Sequence, residues 1–375
     1  MGLCEPMKNL FILGGSQLQM DLILEAKKLF FYTFVLDKNP ECMGAKWCDE
    51  FLAIDIADKE LVLKLAKKYN IAAIVTSATE LGNITACYVG EKLGLYTNSY
   101  QTALNTTNKL KMKRIVNSIN VKTAQYSLLD KDNKALNWSS FPAVVKPTDS
   151  SGGRGLTYVT SETELDLAIN KARAYATNEQ ILIEEYIDAN QYSIETISCN
   201  GKHQILAVTH EHIRKPPDIL EKAHMIPAHL DSAAKSTLEK LIPHILDAFQ
   251  IKYGACHIEL KHLDNNELYL IEIASRTGGM RSEMINLAYG ISYSQLLLLA
   301  ALNIESALDI KPIREVWCKF IINYSMYEEY LADSKNPDLI LLQPQLIKVS
   351  SKNFQANNLH ESAGYYYTIK KDESS

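Results

Sequence analysis

Short apolar runs alternate with helical apolar spacing over about the first hundred residues. The runs that predict buried strands are Asn9–Gly14, Tyr32–Asp37 and Ile71–Thr76, and the spacings that predict helices are Met20–Phe30, Leu61–Tyr69 and Thr85–Leu93. Strands that alternate with helices favour a doubly wound parallel sheet. The loops at the carboxyl ends of such strands form a ligand crevice, so Glu80, in the segment TSATELG, is a candidate contact for a small ligand.

Downstream of about residue 140, the apolar positions alternate as they do in antiparallel strands. Predicted strands are Phe141–Pro147, Leu156–Val159, Ile181–Ile187, Gln191–Ser198, residues 204–210, His257–Leu260 and Glu267–Ala274 (these two joined by a turn at Asp264–Asn266), Trp317–Ile322, Leu346–Val349 and Gly364–Ile369. Predicted helices begin within Asn105–Lys113, cover Ser232–Phe249 and fill most of Glu283–Leu302. Residues 211–230 contain three prolines and predict an ordered loop. The expected fold class is α/β and α+β, ending in a small β-rich segment.

Composition and charge bound the function. A chain of 375 residues is too long for one ordinary core, so two or three domains are expected. Its 39 basic and 44 acidic residues give a net charge of −5, which argues against a nucleic-acid or polybasic membrane role. The sequence shows no signal-like segment and no apolar run that would span a bilayer. Seven cysteines without a CxxC pair favour free thiols in a reducing cytoplasm.

The predicted hairpin of residues 254–279 carries one glutamate on each of its two strands, both among apolar neighbours. Burying both Glu259 and Glu272 would be unfavourable unless they were paired or bound to metal. Mg²⁺ is usually held by one or two carboxylates and substrate phosphates. The pattern predicts a magnesium site, with Arg276 and the Gly278-Gly279 turn beside it as an anion-binding group. The alternative is an ordinary hairpin with solvent-facing glutamates.

A glycine-rich loop follows the predicted strand Phe141–Pro147, in the segment VVKPTDSSGGRG. Its small residues are Ser151, Gly152, Gly153 and Gly155. Such a loop presents successive backbone N–H groups to an anion, and Lys146 at its base adds a positive charge. It is not a Walker A loop, because GK[ST] and a directly following helix are missing. A phosphate lid and a plain glycine-rich hairpin are the two interpretations. For Lys109, in NTTNKLKMK, the alternative to a phosphate contact is a solvated helix face.

A strand end can recognise the edge of a base through its free backbone groups, and a carboxylate there can accept from an amino group. Ile181–Ile187 carries Glu184 and Glu185 at its end, and a solvated pair is the alternative. The GGSQLQ turn and Asp37 suggest a different ligand, a nicotinamide dinucleotide. Asp37 lies about where the ribose-binding acid of such a site is found. That segment lacks GxGxxG, so it is weak support for nicotinamide binding.

In their order and spacing, three segments resemble the ATP-grasp superfamily, and specifically its carboxylate–amine ligases related to biotin carboxylase and to the carbamoyl-phosphate-synthase-like and amino-acid ligases. The segments are VVKPTDSSGGRG, LIEEYIDANQYSIE and HIELKHLDNNELYLIEIASRTGG. The resemblance covers about residues 9–300. It implies an N-terminal Rossmann-like, pre-ATP-grasp domain at 1–108 and an ATP-grasp domain at 109–305, whose lid subdomain is about 120–187. A small C-terminal subdomain would follow at 306–375.

The resemblance also implies, residue by residue, an ATP site. The residues implied to contact the nucleotide are Lys109, Lys146, Ser151, Gly152, Gly153, Gly155, Glu184, Glu185, Tyr186, Ile187, Gln191 and His257. Among them, the two lysines and the loop would contact the phosphates, Glu184 would meet the adenine amino group, and the Tyr186–Ile187 backbone would complete the base site. Gln191 stands where the family usually has a ribose-binding acid.

The metal and substrate sites follow from the same resemblance. Glu259 and Glu272 would hold Mg²⁺, with Mn²⁺ as an alternative, and Ala274 stands where the family has an asparagine, which leaves a third ligand open. The residues implied to face substrate are Glu80, Glu221, His224, Arg276, Gly278 and Gly279. His224 or His257 would orient phosphate or relay a proton, and a structural role is the alternative for each.

The implied activity is ATP-dependent carboxylate–amine ligation of the amino-acid type, through an acyl phosphate, with release of ADP and phosphate. Lys146, Glu272 and Arg276 would be its catalytic residues, and the partners would be small carboxylates and amines. A homodimer is a family-level expectation. The alternatives are a thiol or carrier-protein acceptor, simple phosphoryl transfer, a nicotinamide-dependent oxidoreductase, and a nucleotide-binding module without turnover.

Overall fold

The N-terminal unit is a four-stranded parallel sheet with the strand order β3-β2-β1-β4. The computed structural model describes residues 7–129, 138–150, 152–263 and 267–371. The strands are β1 (Asn9–Leu13), β2 (Tyr32–Asp37), β3 (Glu50–Ala53) and β4 (Ala73–Val75), and the helices are α1 (Met20–Lys28), α2 (Lys59–Lys68), α3 (Glu80–Leu93) and α4 (Tyr100–Thr107). The predicted parallel sheet is confirmed. Strand β3, which is only half-buried and carries no long apolar run, is an addition to the prediction.

A second, antiparallel sheet with the order β5-β8-β6-β7 follows. Its elements are α5 (Lys109–Ser118), β5 (Tyr126–Leu129), β6 (Ala143–Pro147), β7 (Thr157–Val159), α6 (Leu165–Arg173) and β8 (Ile181–Glu185). Helix α5 begins at Lys109 because the side chain of Asn108 caps it, accepting a hydrogen bond from Lys111 N. The antiparallel pair β6–β7 brackets the glycine-rich loop as predicted, whereas Ser151 lies outside the described residues.

The third sheet has eight strands in the order β13-β12-β9-β10-β11-β14-β16-β15, all antiparallel neighbours. The strands are β9 (Asn190–Cys199), β10 (Lys202–Ile213), β11 (Glu221–Ile226), β12 (Gly254–His262), β13 (Leu268–Ala274), β14 (Val316–Phe320), β15 (Leu339–Leu346) and β16 (Gly364–Lys370). The helices are α7 (Ser232–Ala248), α8 (Arg281–Tyr289), α9 (Tyr293–Ala300) and α10 (Tyr324–Asp333). The C-terminal strands therefore extend the same sheet, and the boundary at residue 306 stays a prediction.

Two local predictions were wrong. Residues 211–230 are not one loop, because β10 continues to Ile213 and β11 follows. Their prolines lie at 216, 217 and 227, just outside the strands, so they bound the strands and do not interrupt them. The late strand ends at Leu346 where Leu346–Val349 was expected. The prediction that most of Glu283–Leu302 is helical is confirmed by α8 and α9, which are separated where Gly290, with a φ of 69°, ends α8. The expected turn Asp264–Asn266 lies outside the described residues.

Helix α7 determines which face of the large sheet is open. Its apolar side, including Leu238 and Ile242, packs on Ile194 of β9 and Ile258 of β12. Successive strand residues point to opposite faces, so Glu195, Glu259 and Lys261 are turned to the other side of the sheet. Within the described part of the chain, none of the helices has the length and apolar composition that crossing a membrane requires.

Three consecutive residues after β13 tie the large sheet to the N-terminal unit. Ser275 Oγ accepts from Asn83 Nδ2 at 2.8 Å and shares a hydrogen bond with Thr106 Oγ1 at 2.7 Å. Arg276 forms an ion pair with Glu80 at the start of α3, and Thr277 Oγ1 accepts from the backbone N–H of residue 78 at 3.0 Å. The strand that carries Glu272 is therefore fixed to the N-terminal unit at its end.

We predict that Ser275→Ala lowers the free energy of unfolding by about 1–3 kcal/mol, because it leaves the buried Asn83 amide without its acceptor. Urea denaturation followed by circular dichroism measures the change. The control is Ser334→Ala at the exposed end of α10, which should change the value by less than about 0.5 kcal/mol. Equal values for the two variants would contradict the proposed tie.

Candidate active site

A cavity of about 190 Å³ lies between the antiparallel sheet of residues 126–185 and the open face of the large sheet. It brings together most of the residues that the sequence predicted for a nucleotide and a metal. Those that line it are Lys109, Lys146, Gly152, Gly153, Glu184, Glu185, Tyr186, Ile187, Gln191, Glu221, Glu259 and Glu272. The glycine-rich loop borders the cavity, and Gly152, Gly153 and Gly155 have φ values of 64°, 74° and 74°, which favour glycine.

Lys146 is held at the cavity by a buried carboxylate. Its Nζ lies 3.0 Å from Glu184 Oε1, and Lys113 Nζ lies 3.2 Å from Glu184 Oε2. Burial opposes ionisation of Glu184, but the two lysines outweigh it and lower the pKa of the carboxyl group. The Glu184 carboxylate is thus committed to two ammonium groups, and its contact with an adenine amino group stays a prediction. Glu185 accepts from Gln125 N at 2.9 Å.

Lys109 joins the glycine-rich loop to the second hairpin glutamate. Its Nζ lies 3.1 Å from Glu272 Oε2 and donates to Ser150 O at 2.9 Å, while its backbone N–H donates to Thr148 O at 3.0 Å. Burial acts to lower the pKa of Lys109, but the attraction of Glu272 raises it overall. A charged ammonium therefore lies between the loop and the hairpin, where a polyphosphate would need it. The solvated-face alternative for Lys109 does not hold, because its side chain is buried.

The hairpin glutamates lie on two adjacent strands, as predicted. Glu259 and Glu272 are directly opposite each other in the β12–β13 register, and both line the cavity. Burial opposes the ionisation of Glu272, but Lys109 and Arg276 lower the pKa of its carboxyl group, so it is a carboxylate at neutral pH. Two carboxylates with oxygen donors in one cavity fit a hard divalent cation.

His257 supports Glu259 from the neighbouring position on the same strand face. Its Nδ1 forms a very short hydrogen bond with Glu195, and its Nε2 lies 3.2 Å from Glu259 Oε1. Burial lowers the pKa of the imidazole, but Glu195 and Glu259 together raise it to about 10. Ligand atoms of Glu211, His257 and Glu259 lie within 4.8 Å of one another, as in a metal site. Both ring nitrogens of His257 are already engaged, so this histidine positions Glu259 and is a poor metal ligand.

Arg281, which the sequence did not single out, connects the predicted substrate residues to the metal side. It pairs with Glu211 at 2.5 Å, and its Nη1 donates to His224 Nδ1 at 2.7 Å. Because Nδ1 of His224 accepts, its Nε2 carries the proton and donates to Glu221 Oε2 at 2.7 Å. Burial and the neighbouring guanidinium hold the pKa of His224 well below its usual value. The imidazole is therefore neutral, in one tautomer, with Glu221 at the cavity wall.

Gln191 lies on the same sheet face and bridges two carboxylates. Its Nε2 donates to Glu211 Oε2 at 2.8 Å and to Glu259 Oε2 at 3.3 Å. This amide therefore links the Arg281–Glu211 pair to Glu259. Its predicted place near a ribose stays a prediction.

Arg276 and Glu80, both predicted to face substrate, are brought together at 2.6 Å between Nη2 and Oε1. Arg276 Nη1 donates to Thr277 O at 3.0 Å, and its buried Nε has no hydrogen-bond partner within the described residues. Among the residues that the structure describes, neither of these two side chains lines the 190 Å³ cavity. They lie instead at the junction with the N-terminal unit, where one guanidinium N–H is left for an anion.

The residues that sequence reasoning missed are buried charges in strands and helices. The strand residues are Glu195, Glu211 and Lys261, and the helix residues are Lys113 and Arg281. A signal for two of them was present. Glu195 follows Gln191 at an even spacing on one strand, and Lys261 follows Glu259 in the same way, so each had to share a face with a predicted site residue.

Comparison with known proteins identifies the class. Residues 139–284 match the ATP-grasp domain, and residues 7–92 match the Ribonucleotide synthetase preATP-grasp domain. The chain therefore contains an ATP-grasp domain, preceded by a preATP-grasp domain.

Individual relatives agree with this class. A formate-dependent phosphoribosylglycinamide formyltransferase from Wolinella succinogenes is 25% identical over 275 residues, covering 72% of this chain and 70% of that enzyme. An alanine–anticapsin ligase from Bacillus subtilis is 27% identical over 267 residues, covering 64% of this chain and 56% of that enzyme. The crystal structure of an L-amino acid ligase from Bacillus licheniformis has a TM-score of 0.79 at 21% identity, covering 99% of this chain and 95% of that chain. The last likeness shows that the fold is shared.

We predict that Gly278→Ala destabilises the protein by about 1–3 kcal/mol, the usual cost of overpacking a well-packed site. A β-carbon at this residue would lie 2.6 Å from Glu195 Oε1 and 2.7 Å from His257 Nδ1. The adjacent Gly279 is the matched control, because a β-carbon there meets nothing within 4 Å. Urea denaturation of both variants makes the comparison, and a stability of Gly278→Ala equal to that of Gly279→Ala would show that the packing is looser than described.

Proposed function

We propose that this protein is an ATP-dependent carboxylate–amine ligase of the amino-acid type, which forms a C–N bond through an acyl phosphate and releases ADP and phosphate. The observation that carries the proposal is the convergence of Lys109, Lys146, Glu259, Glu272 and the glycine-rich loop on one cavity. Positive groups for a polyphosphate and carboxylates for its cation are then within one site.

The chemistry requires activation of a carboxylate, because oxide is a poor leaving group. One carboxylate oxygen attacks the γ-phosphorus of ATP, the bond to the β,γ-bridging oxygen breaks, and ADP leaves. The amine then attacks the acyl carbon, phosphate leaves with the former carboxylate oxygen, and the nitrogen loses a proton. Both steps are governed by positioning and by stabilisation of negative charge, so no residue of the chain needs to form a covalent bond.

The residues of the cavity supply that positioning. Lys146, held by Glu184, and Lys109, held by Glu272 and Ser150 O, would each donate to phosphate oxygens. The backbone N–H groups of Gly152 and Gly153 would cover the transferring group and exclude water, which otherwise hydrolyses an acyl phosphate. Arg276, with its unpartnered Nε, would bind the carboxylate or the acyl phosphate.

A divalent cation completes the site. Glu259 and Glu272 would hold Mg²⁺, or Mn²⁺ in its place, and the ion would neutralise the β- and γ-phosphate oxygens when bound. Ala274 offers no oxygen from its side chain, so these two carboxylates are the protein ligands that we propose.

The names of the relatives support small carboxylate and amine substrates. Two of the three compared proteins are named as ligases of amino acids, and the third is named as a formyltransferase that depends on formate. Glu221, with His224 behind it, lines the cavity and would contact the amine substrate. Homodimer formation remains a family-level expectation. We place the reaction in the cytoplasm, which the six free cysteines among the described residues support.

The nicotinamide alternative has a specific observation against it. Asp37 Oδ2 accepts from Gly15 N at 2.9 Å and Oδ1 accepts from Asn39 N at 2.9 Å, so both oxygens of the candidate ribose acid organise its own loops. An acceptor thiol or carrier protein and simple phosphoryl transfer are outcomes of the test that follows.

The test is a phosphate-release screen with ATP, Mg²⁺ and pairs of amino acids. We expect ADP and phosphate, released only when both a carboxylate and an amine are present, with a matching amide detected by mass spectrometry. AMP as the product would point to adenylation and reject the acyl phosphate. Release with one substrate alone would point to a kinase.

We predict that Glu272→Gln reduces amine-dependent ADP formation at least about a hundredfold, because it removes a metal carboxylate and the partner of Lys109. Circular dichroism should show an intact fold. Glu239→Gln on the exposed side of α7 is the control and should turn over like the wild type. Turnover of Glu272→Gln at the rate of the control would remove Glu272 from the metal site.

We predict that Lys146→Ala raises the Kd for ATP about tenfold or more, the effect of losing one hydrogen bond to a charged group. Isothermal titration calorimetry measures it. Lys171→Ala, at an exposed position of α6, is the matched control with an unchanged Kd. The same Kd in both variants would show that Lys146 serves only to neutralise Glu184.

A further inference from the structure

A buried lysine that the proposed mechanism does not use lies at the end of the nucleotide cavity away from the hairpin glutamates. Lys261 is 8% exposed and is one of the side chains that line the cavity. Its Nζ donates to Ile187 O at 2.7 Å and lies 4.7 Å from the centre of the Tyr186 ring. Burying an ammonium is costly unless it is well paired, and one carbonyl bond, one ring and the charge of Asp188 pair it incompletely.

The direction of this side chain separates it from the metal end. Lys261 and Gln191 are register partners on adjacent strands, so both start from the same row of the sheet face. The amide of Gln191 turns towards Glu211 and Glu259. The ammonium of Lys261 turns the opposite way, to the Tyr186–Ile187 backbone just beyond the end of β8. Lys261 therefore belongs to the end of the cavity where a base would lie.

The acceptors expected at that end are already engaged. The Glu184 carboxylate is paired with Lys146 and Lys113, and the Ile187 carbonyl accepts from Lys261. The Glu185 carboxylate accepts from Gln125 N. An ammonium carries three N–H donors, and only one of those of Lys261 is used by the Ile187 carbonyl. The base end of the cavity is thus richer in donors than the sequence suggested.

We propose that Lys261 is a specificity-determining residue of the nucleotide site, whose ammonium donates to a ring nitrogen of the adenine base while it holds the Ile187 carbonyl in place. This inference rests on the proposed function, since it assumes a nucleoside triphosphate in the cavity. The four-carbon stem of Lys261 packs beside the base, and the remaining N–H groups of the ammonium replace the water that a ring nitrogen would otherwise bind.

The experiment is calorimetric titration of the full chain with the non-hydrolysable ATP analogue AMP-PNP in the presence of Mg²⁺. Lys261→Met keeps the length and apolar stem of the side chain and removes the donor. We expect the Kd for AMP-PNP to rise about tenfold, the effect of one hydrogen bond to a charged group. Lys240→Met, at an exposed position of α7, is the matched control with an unchanged Kd.

Base analogues distinguish a direct contact from an indirect one. ATP analogues that lack N1, N3 or N7 are titrated into the wild type and into Lys261→Met. We expect one of the three analogues to bind the wild type about tenfold more weakly than ATP does. The same analogue should bind Lys261→Met with the affinity that it has for the wild type. An equal loss for all three analogues in Lys261→Met would mean that the lysine acts only through the Ile187 carbonyl, and it would overturn the proposal. So would an unchanged Kd for AMP-PNP in this variant.

The outcome also separates this inference from the proposed function. If the wild type bound no AMP-PNP, the nucleotide site itself would be wrong. Suppose instead that the wild type bound AMP-PNP and, in the separate assay with ATP, released phosphate when both substrates were present. If Lys261→Met then bound AMP-PNP as tightly as Lys240→Met, only the proposed role of Lys261 would be wrong. The melting temperature of each protein is also measured without ligand. A variant with the melting temperature of the wild type has not lost affinity through misfolding.

Discussion

The compensation of buried carboxylates on one face of the large sheet is the constraint on which the site depends. Glu195 and Glu211 are buried on this face, and leaving either unpaired would cost several kcal/mol. Glu259 and Glu272 lie on the same face and are partly buried. Each has a basic partner. Arg281 pairs with Glu211 and His257 with Glu195. His257 also meets Glu259, and Lys109 meets Glu272. The charges therefore fix one another, and rotating one side chain would leave its partner without compensation.

This interdependence explains the glycine at position 278. Glu195 accepts from the backbone N–H of Gly278 at 3.2 Å, so the turn after β13 is held by the same carboxylate that holds His257. The turn packs so closely on Glu195, His257 and Arg281 that no β-carbon fits. The segment Ser275–Thr277, just before it, is bonded to the N-terminal unit. The position of the hairpin β12–β13 and the charge of its glutamates are thus set both by the buried charges of the sheet face and by the N-terminal unit.

How much of this the sequence could predict depended on the kind of signal. The parallel and antiparallel sheets followed from apolar periodicity, and Glu259 and Glu272 stood out because acids are unusual in buried strands. The glycine-rich loop was also recognisable from a local pattern, because its small residues are close together in the sequence. The partners were harder, because Arg281 lies 70 residues from Glu211 and His257 lies 62 residues from Glu195 in the chain. Such pairings depend on the order of strands in the sheet, which no local pattern contains. Proline positions misled the prediction at 211–230, since a proline beside a strand and one within it give the same composition.

The position of Ala274 shows how the pairings alter the meaning of a single residue. From the family resemblance, we expected an asparagine at this position, which would add a third oxygen near the cation. In the hairpin register Ala274 is the partner of His257, which the two glutamates keep charged, as its pKa of about 10 indicates. The chain therefore has a positive group on the strand opposite the position where a neutral oxygen donor was expected. One oxygen of Glu259 is occupied by that imidazole, and less negative charge remains for metal ions. In the proposed site, Glu272 and the Glu259 oxygen that also accepts from Gln191 would hold the cation, and nucleotide phosphates would supply much of the remaining coordination.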